Sequence, residues 1–287
     1  MSLASLFLCF LFTHNHFSKE MYHQNDADNN QLWHWSEQNG FKYLVCDLLK
    51  DWQHGFFGKF SYPHLPEDLI AALEPQASVY RVKQVHGNSV LKTQDIQPLV
   101  KSSNHNFAEA DGIITNDFNQ SVWVASADCN PVLIADRQTK KVAALHAGWR
   151  GTAKRIISEA IALFQAEGSN LADLRVAIGP AIAGEVYQVG VKVAAEVGRS
   201  IVEDPEIADE SIVNHLLAID NSPLLPDEHP ARVKLDVRKV NQIQLLKLGL
   251  SNSQIAIAPF CTFQQPDYFF SYRKTNQKKV QWSGIVS

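Results

Sequence analysis

Apolar positions fall into short runs through the middle of the chain and into wider, helix-like spacing around it. Residues 41–49 (FKYLVCDLL) and 78–86 (SVYRVKQVH) read as strands bounded by polar turns. Five more short apolar runs follow, at 111–116, 121–128, 131–136, 141–146 and 174–179, each closed by Asp, Asn, Gly or His. Helical spacing marks residues 152–168, where Ile156, Ile157, Ala160, Ile161 and Phe164 share one face and Gly168 supplies the stop. The same period recurs over 191–202 and 235–250, and PEDLIAAL (66–73) opens with a Pro-Glu-Asp start suited to a short helix. Strands in the middle with helices around them predict an α+β fold of mixed β-sheets sandwiched between helices, in αββα-like layers and a single domain.

The first thirty residues break this pattern. Residues 2–12 (SLASLFLCFLF) imitate the apolar core of an export signal, yet no positive charge precedes them and no small-x-small cleavage site follows. The run is also short of the roughly 20 residues of a spanning helix. The polar stretch after it has no period and contains a second methionine, Met21. Residues 1–30 are therefore expected to be a disordered extension or a misassigned start, and 31–287 a single catalytic domain.

Composition narrows the function classes. A net charge of −4 with no long basic run gives a phosphate backbone little to hold, which argues against nucleic acid as a partner. Cys9, Cys46, Cys129 and Cys261 are scattered without a Cys-x-x-Cys pair, so neither a zinc knuckle nor a disulfide scaffold is indicated. A reducing cytoplasm is the simpler setting, with no membrane partner.

Three residues then stand out. His86 in KQVHGNSV, Cys129 in SADCNPV and His146 in AALHAGWRG each follow an apolar run and precede a turn, so all three can meet at one sheet edge. Two imidazoles and a thiolate suit a catalytic zinc site, with three protein ligands and an open fourth position. The plain alternative is a core cysteine and two histidines satisfied by backbone carbonyls. Beside His146, Gly148 and Gly151 let the backbone pass close to a bound group, Thr152 stands at the expected helix start, and Arg150 adds a donor fork for phosphate. Trp149 suits a core anchor better than a stacking platform, and Arg150 is equally suited to a surface ion pair. Asp111 and Asp128 are available for acid-base work, although neither is singled out as the base.

The blocks KQVHGNSV, ADGIITN, SADCNPVLIAD, LHAGWRGT, AIGPAI and FFSYRK, in this order over about residues 52–274, resemble the polyphenol oxidase or laccase-domain family. That family is also known as the purine nucleoside phosphorylase and peptidoglycan editing factor family. The resemblance implies a cytosolic enzyme with zinc on His86, Cys129 and His146. It also implies phosphorolysis of adenosine, inosine and methylthioadenosine, adenosine deamination at the same site, and phosphate as co-substrate. Arg273, in FFSYRK, is implied to close the pocket over ribose or phosphate, although an Arg pairing with an acid is an equal alternative. Departures from the family pattern are Lys59, Ala181, Gln188 and the loss of a Gly-Arg after FFSYRK, which leave the trio intact and alter the substrate side. Oxidase chemistry is not expected. His14 and His16 make the chain's one His-x-His pair, and the only methionines are Met1 and Met21, so copper is less favoured than zinc. Two alternatives remain: a metal-free cysteine hydrolase in which His146 activates Cys129 towards an amide, a peptidoglycan precursor included, and a metal-binding protein without catalysis. Oligomeric state is not legible.

Overall fold

The computed structural model describes residues 26–99 and 107–287; residues 1–25, with the export-like run and Met21, lie outside it. In chain order the elements are α1 (Asp26–Gln31), β1 (Trp33–Gln38), β2 (Phe41–Cys46), β3 (His54–Phe57), α2 (Pro66–Leu69), β4 (Ser78–Arg81), β5 (Val90–Lys92), β6 (Gly112–Ile114), β7 (Gln120–Ser126), β8 (Asn130–Asp136) and β9 (Val142–Ala147). There follow α3 (Trp149–Ala153), α4 (Ile156–Ala166), β10 (Leu174–Ile178), β11 (Gln188–Gly190), α5 (Val191–Gly198), α6 (Asp209–Ala218), β12 (Leu224–Pro226), β13 (Arg232–Leu235), α7 (Val237–Lys247), β14 (Ile255–Ile257), α8 (Tyr272–Thr275) and β15 (Gln281–Val286).

Two six-stranded mixed sheets form the centre, ordered β1-β2-β3-β15-β7-β4 and β14-β10-β8-β9-β6-β5, with a small sheet β11-β13-β12 beside them. Period-two alternation sorts each central strand's residues onto two apolar faces. Leu133, Ala135, Val142 and Ala144 of the second sheet meet Leu44, Phe56, Val122, Val124 and Ile285 of the first. The alternate residues Val132, Ile134, Ala143 and Leu145 turn outwards to Ile156, Ile157, Ile161 and Phe164 of α4. On the far side, Tyr43, Phe57, Trp123 and Trp282 pack under Leu69, Ile70 and Leu73. Helix, sheet, sheet and helix are thus stacked as the sequence pattern implied, and each fully buried large side chain contributes about 1.5–3 kcal/mol.

Several element expectations need correction. The 78–86 strand ends at Arg81, and the 66–73 helix tightens after Leu69 into a 3-10 turn, Ile70–Ala72. The 152–168 helix is two helices: α3 begins at Trp149 with Gly148 as its N-cap, and Arg155 (φ 61°) breaks the chain before α4. A left-handed residue cannot continue a right-handed helix, and apolar spacing alone does not reveal it. Residues 26–31 of the polar stretch form a helix, and the Asn29 side chain bonds both N–H and C=O of Ile257 on the edge strand β14. Asp236 caps α7 by accepting the Lys239 N–H.

Candidate metal centre and active site

Topology brings the trio together. Strands β4 and β7 are parallel neighbours in the first sheet, so both leave it at the same end and cross to the second sheet there. His86 lies on the crossing that follows β4, and Cys129 on the short crossing between β7 and β8. His146 lies near the end of β9, paired with Pro131 at the start of β8. The site therefore joins the two sheets, which corrects the expectation of a single sheet edge. One ligand atom from each of His86, Cys129 and His146 lies within 4.8 Å of the others, and the two imidazole rings stand edge to face at 86°. Among the described residues this is the one group of three or more His, Cys, Asp and Glu side chains so placed.

Asp111 organises the trio. Its carboxylate is fully buried; Oδ1 accepts from the His86 N–H (2.9 Å) and faces His146 Nδ1 (2.8 Å), while Oδ2 accepts from the N–H groups of Val85 (3.1 Å) and Gly87 (2.6 Å). These bonds clamp the loop in which His86 adopts φ 59°, a strained conformation for a residue with a Cβ. Nδ1–H of His146 is committed to the carboxylate, which leaves Nε2 as the nitrogen for a ligand, as in carboxylate–histidine–metal triads. Sequence reasoning had Asp111 only as an acid-base candidate.

Burial raises the Cys129 thiol, but hydrogen bonds and charge from His146 and His86 outweigh it and bring it well below the usual thiol range. Burial likewise disfavours an imidazolium at His146, and Asp111 and Cys129 together reverse that. Asp111 is pushed up by burial and brought below the usual carboxylate range by its bonds from His146, Gly87 and Val85. The common result without metal is a thiolate paired with the His146 imidazolium, and a metal on Nε2 would take the place of the proton that His146 releases.

The glycines serve the trio's packing. A Cβ on Gly148 would lie 2.6 Å from Cys129 Sγ, and one on Gly151 would lie 2.9 Å from the Gly87 carbonyl beside His86. Thr152 is fully buried; its N–H donates to Gly148 O (2.8 Å) and its hydroxyl to Asn241 Oδ1 (2.9 Å). The residues expected to form an anion cradle at the helix start, Gly148, Gly151 and Thr152, are thus engaged in packing the trio and the fold. The glycines face Cys129 and Gly87, and the donors of Thr152 are taken within the fold.

The two arginines are placed differently. Arg150 is exposed, with its guanidinium 4.3 Å from the Trp149 ring, and Trp149 is partly buried against the core of the small sheet. Arg273 donates its N–H to Asp128 Oδ2 (2.7 Å) and a guanidinium N–H to Gln188 O (2.9 Å). β7 ends at Ser126, so strand alternation does not apply to Asp128. Its Oδ1 accepts from Thr262 (2.7 Å), and burial raises its carboxyl against the opposing bonds of Arg273, Thr262 and Ser271. Tyr187 was missed by sequence reasoning. Burial, with the nearby Cys129 charge, pushes its phenol up to about 12, and Arg273, Asp128 and Arg150 also act on it, so Tyr187 sits among all four. Its only sequence signal was its place shortly after AIGPAI.

The altered family positions each have a partner within the fold. Gln188 bonds both carboxylate oxygens of Asp227 (2.8 and 2.9 Å), Ala181 bridges to Cys261, and Lys59 reaches the Pro266 carbonyl. A separate cavity of ≈ 710 Å³, lined by Glu185, Arg238, Lys239 and Cys261 among others, does not include the trio. Cys46, Cys129 and Cys261 are free thiols, and among the described residues no helix is long and apolar enough to cross a membrane.

Comparison with known proteins agrees with this architecture. The model of a family described as "Multi-copper polyphenol oxidoreductase laccase" matches residues 67–286. A protein of Synechocystis sp. named purine nucleoside phosphorylase is 55% identical over 259 residues, covering 89% of this chain and 97% of that one. Purine nucleoside phosphorylase YlmD of Bacillus subtilis is 31% identical over 71% of this chain and 68% of its own. Among solved structures, the hypothetical protein YfiH of Bacillus licheniformis superposes with a TM-score of 0.72 at 24% identity, over 88% of this chain and 98% of that one, which is a likeness of fold.

Proposed function

The chain belongs to the multi-copper polyphenol oxidoreductase laccase family, and from that premise we propose that it is a zinc-dependent purine nucleoside phosphorylase that also deaminates adenosine. The substrates are adenosine, inosine and methylthioadenosine, with inorganic phosphate as co-substrate. The observation that carries this reading is the convergence of His86, Cys129 and His146 on one point, with Asp111 fixing His146 so that Nε2 faces it.

The donor set fits zinc better than copper. Two imidazoles and one thiolate leave a fourth position open, and the sequence holds no methionine beyond Met21 to act as a weak axial ligand. Held by His86, Cys129 and His146, a zinc ion would supply Lewis acidity to an oxygen at that position. Asp111 holds His146 and the His86 loop in register, so the site is organised before substrate arrives. Arg273, stacked on Tyr187, and Arg150, whose charge also reaches that phenol, offer guanidinium forks to a phosphate, neutralising its charge as its oxygen bonds to ribose C1′ and the purine departs with the C1′–N9 electron pair. In deamination, water adds at C6 and the amine leaves as ammonia. The two reactions attack different atoms, so they use two poses of the nucleoside. Both Asp128 oxygens accept bonds, from Thr262 and Arg273, which makes Asp128 a pin for the Arg273 segment.

A second reading is a thiol hydrolase with Cys129 as nucleophile and His146 as its base, acting on an amide such as one in a peptidoglycan precursor. The hydrogen bonds of both imidazoles to the Cys129 thiol favour it. Elemental analysis and chromatography of nucleoside products, with and without phosphate, separate the readings. We expect close to one zinc per chain, lost in Cys129→Ser with the fold retained. Free base is expected to form only with phosphate, and inosine to form from adenosine without it. A full zinc complement in Cys129→Ser, or turnover of amides by metal-free protein, would sink the zinc reading; a folded, zinc-loaded protein that turns over no nucleoside would leave metal binding without catalysis.

A further inference from the structure

Arg273 is an exposed arginine on a short helix, the kind of side chain whose rotamer freedom ordinarily weakens a binding site. Here it is held from three directions. Its own N–H is bound to Asp128 Oδ2, its guanidinium donates to Gln188 O at 2.9 Å, and the guanidinium carbon lies 4.7 Å from the Tyr187 ring centroid. The ring is itself fixed. The Tyr187 N–H donates to Gly184 O (3.2 Å), its carbonyl accepts from Leu235 N–H (3.0 Å), and the side chain packs on the core of the small sheet with Val189 and Leu235. Among the described residues, none accepts a hydrogen bond from Nε or Nη2 of Arg273, so that edge of the guanidinium is available to an anion.

We propose that Tyr187 is a positioning residue whose ring holds the Arg273 guanidinium beside the metal centre, where Arg273 is tied to Asp128 next to Cys129, so that its open edge takes the phosphate. The role rests on the phosphorolysis reading for its substrate and on the observed stacking for its mechanism. The aromatic face, and not the hydroxyl, does the positioning: cation and ring attract face to face, and the planar guanidinium loses less freedom on binding once it lies on a fixed plane. The contact does not depend on the Gln188 side chain, since the backbone carbonyl is what receives Arg273.

The test compares Tyr187→Phe, Tyr187→Leu, Arg273→Ala and the Tyr187→Leu/Arg273→Ala double variant in the zinc-loaded full chain. Inosine phosphorolysis and calorimetric titration with inorganic phosphate are the readouts, and zinc content and near-UV circular dichroism verify the fold. We expect Tyr187→Leu to raise the phosphate KM and Kd about tenfold with kcat and the inosine KM within about twofold, Tyr187→Phe to restore wild-type values, and the double variant to match Arg273→Ala. Equal losses in the Phe and Leu variants would assign the role to the hydroxyl and overturn the proposal. So would additive losses in the double variant, or phosphate binding that Tyr187→Leu leaves unchanged. If wild-type protein binds phosphate but releases base without it, phosphorolysis fails while the calorimetric comparison still decides the role of Tyr187; absence of phosphate binding to the wild type overturns both.

Discussion

Replacing Asp111 by Asn tests the centre at its organising residue with almost no change of volume. The carboxylate accepts from four donors: His86 N–H and His146 Nδ1–H on Oδ1, Val85 N–H and Gly87 N–H on Oδ2. An amide has one oxygen, so two of the four donors lose their acceptor whichever way it turns. If the NH2 faces His146, the imidazole must present a bare Nδ1 and carry its proton on Nε2, the nitrogen that would bind metal. If it faces Val85 and Gly87, the loop that holds His86 at φ 59° is released. Each lost bond to a charged acceptor is worth about 1.5–3 kcal/mol, but the loop donors lie near solvent and recover part of that from water, so a loss of about 3 kcal/mol in folding stability is expected. Loss of a buried carboxylate behind a ligating histidine weakens metal binding by about 10–100-fold. Urea unfolding of metal-free protein measures the first quantity and competition with a chromophoric chelator the second. An Asp111→Asn protein with wild-type zinc affinity and stability within about 1 kcal/mol of wild type would show that Asp111 neither sets the His146 tautomer nor holds the loop.

Three further outcomes are expected. Gly148→Ala places a Cβ 2.6 Å from Cys129 Sγ, so zinc occupancy should fall, with a stability cost of about 1–3 kcal/mol by overpacking; full occupancy in a stable variant would remove the steric role of this glycine. His54 accepts from Cys46 N–H and faces the Trp52 carbonyl, and burial, opposed by that carbonyl, lowers its pKa to about 4. The unfolded chain therefore takes up a proton near pH 6.5 that the native state refuses, and stability should fall by up to about 3 kcal/mol between pH 6.5 and pH 4. His54→Gln should lose less over that interval in urea titrations, and parallel pH profiles for the two proteins would refute the assignment. Arg150→Ala should reduce phosphate-dependent base release at least about tenfold and leave adenosine deamination within about twofold, by chromatography; equal losses would make Arg150 structural.

Local periodicity in the sequence determined most of the strands and helices, the αββα layering and, through three short motifs, the candidate residues of the metal centre. These are features in which a side chain's neighbours along the chain dictate its face, so period two or 3.6 is enough to read them. What the tertiary structure decided are contacts between distant segments. The parallel pairing of β4 with β7 carries His86 and Cys129 to the same end of the molecule, and no local pattern encodes that pairing. Arg155 adopts a left-handed conformation in a segment whose apolar spacing continues through it, so one helix became two. Gly148 and Gly151 looked like an anion cradle because a glycine reports only that something comes close, and only the folded chain shows that these neighbours are Cys129 and Gly87. Asp111 and Tyr187 gained their places in the same way. A lone acid and a lone tyrosine carry no signature in the sequence; the first is defined by His146, 35 residues further along the chain, and the second by Arg273, which only the fold brings against its ring.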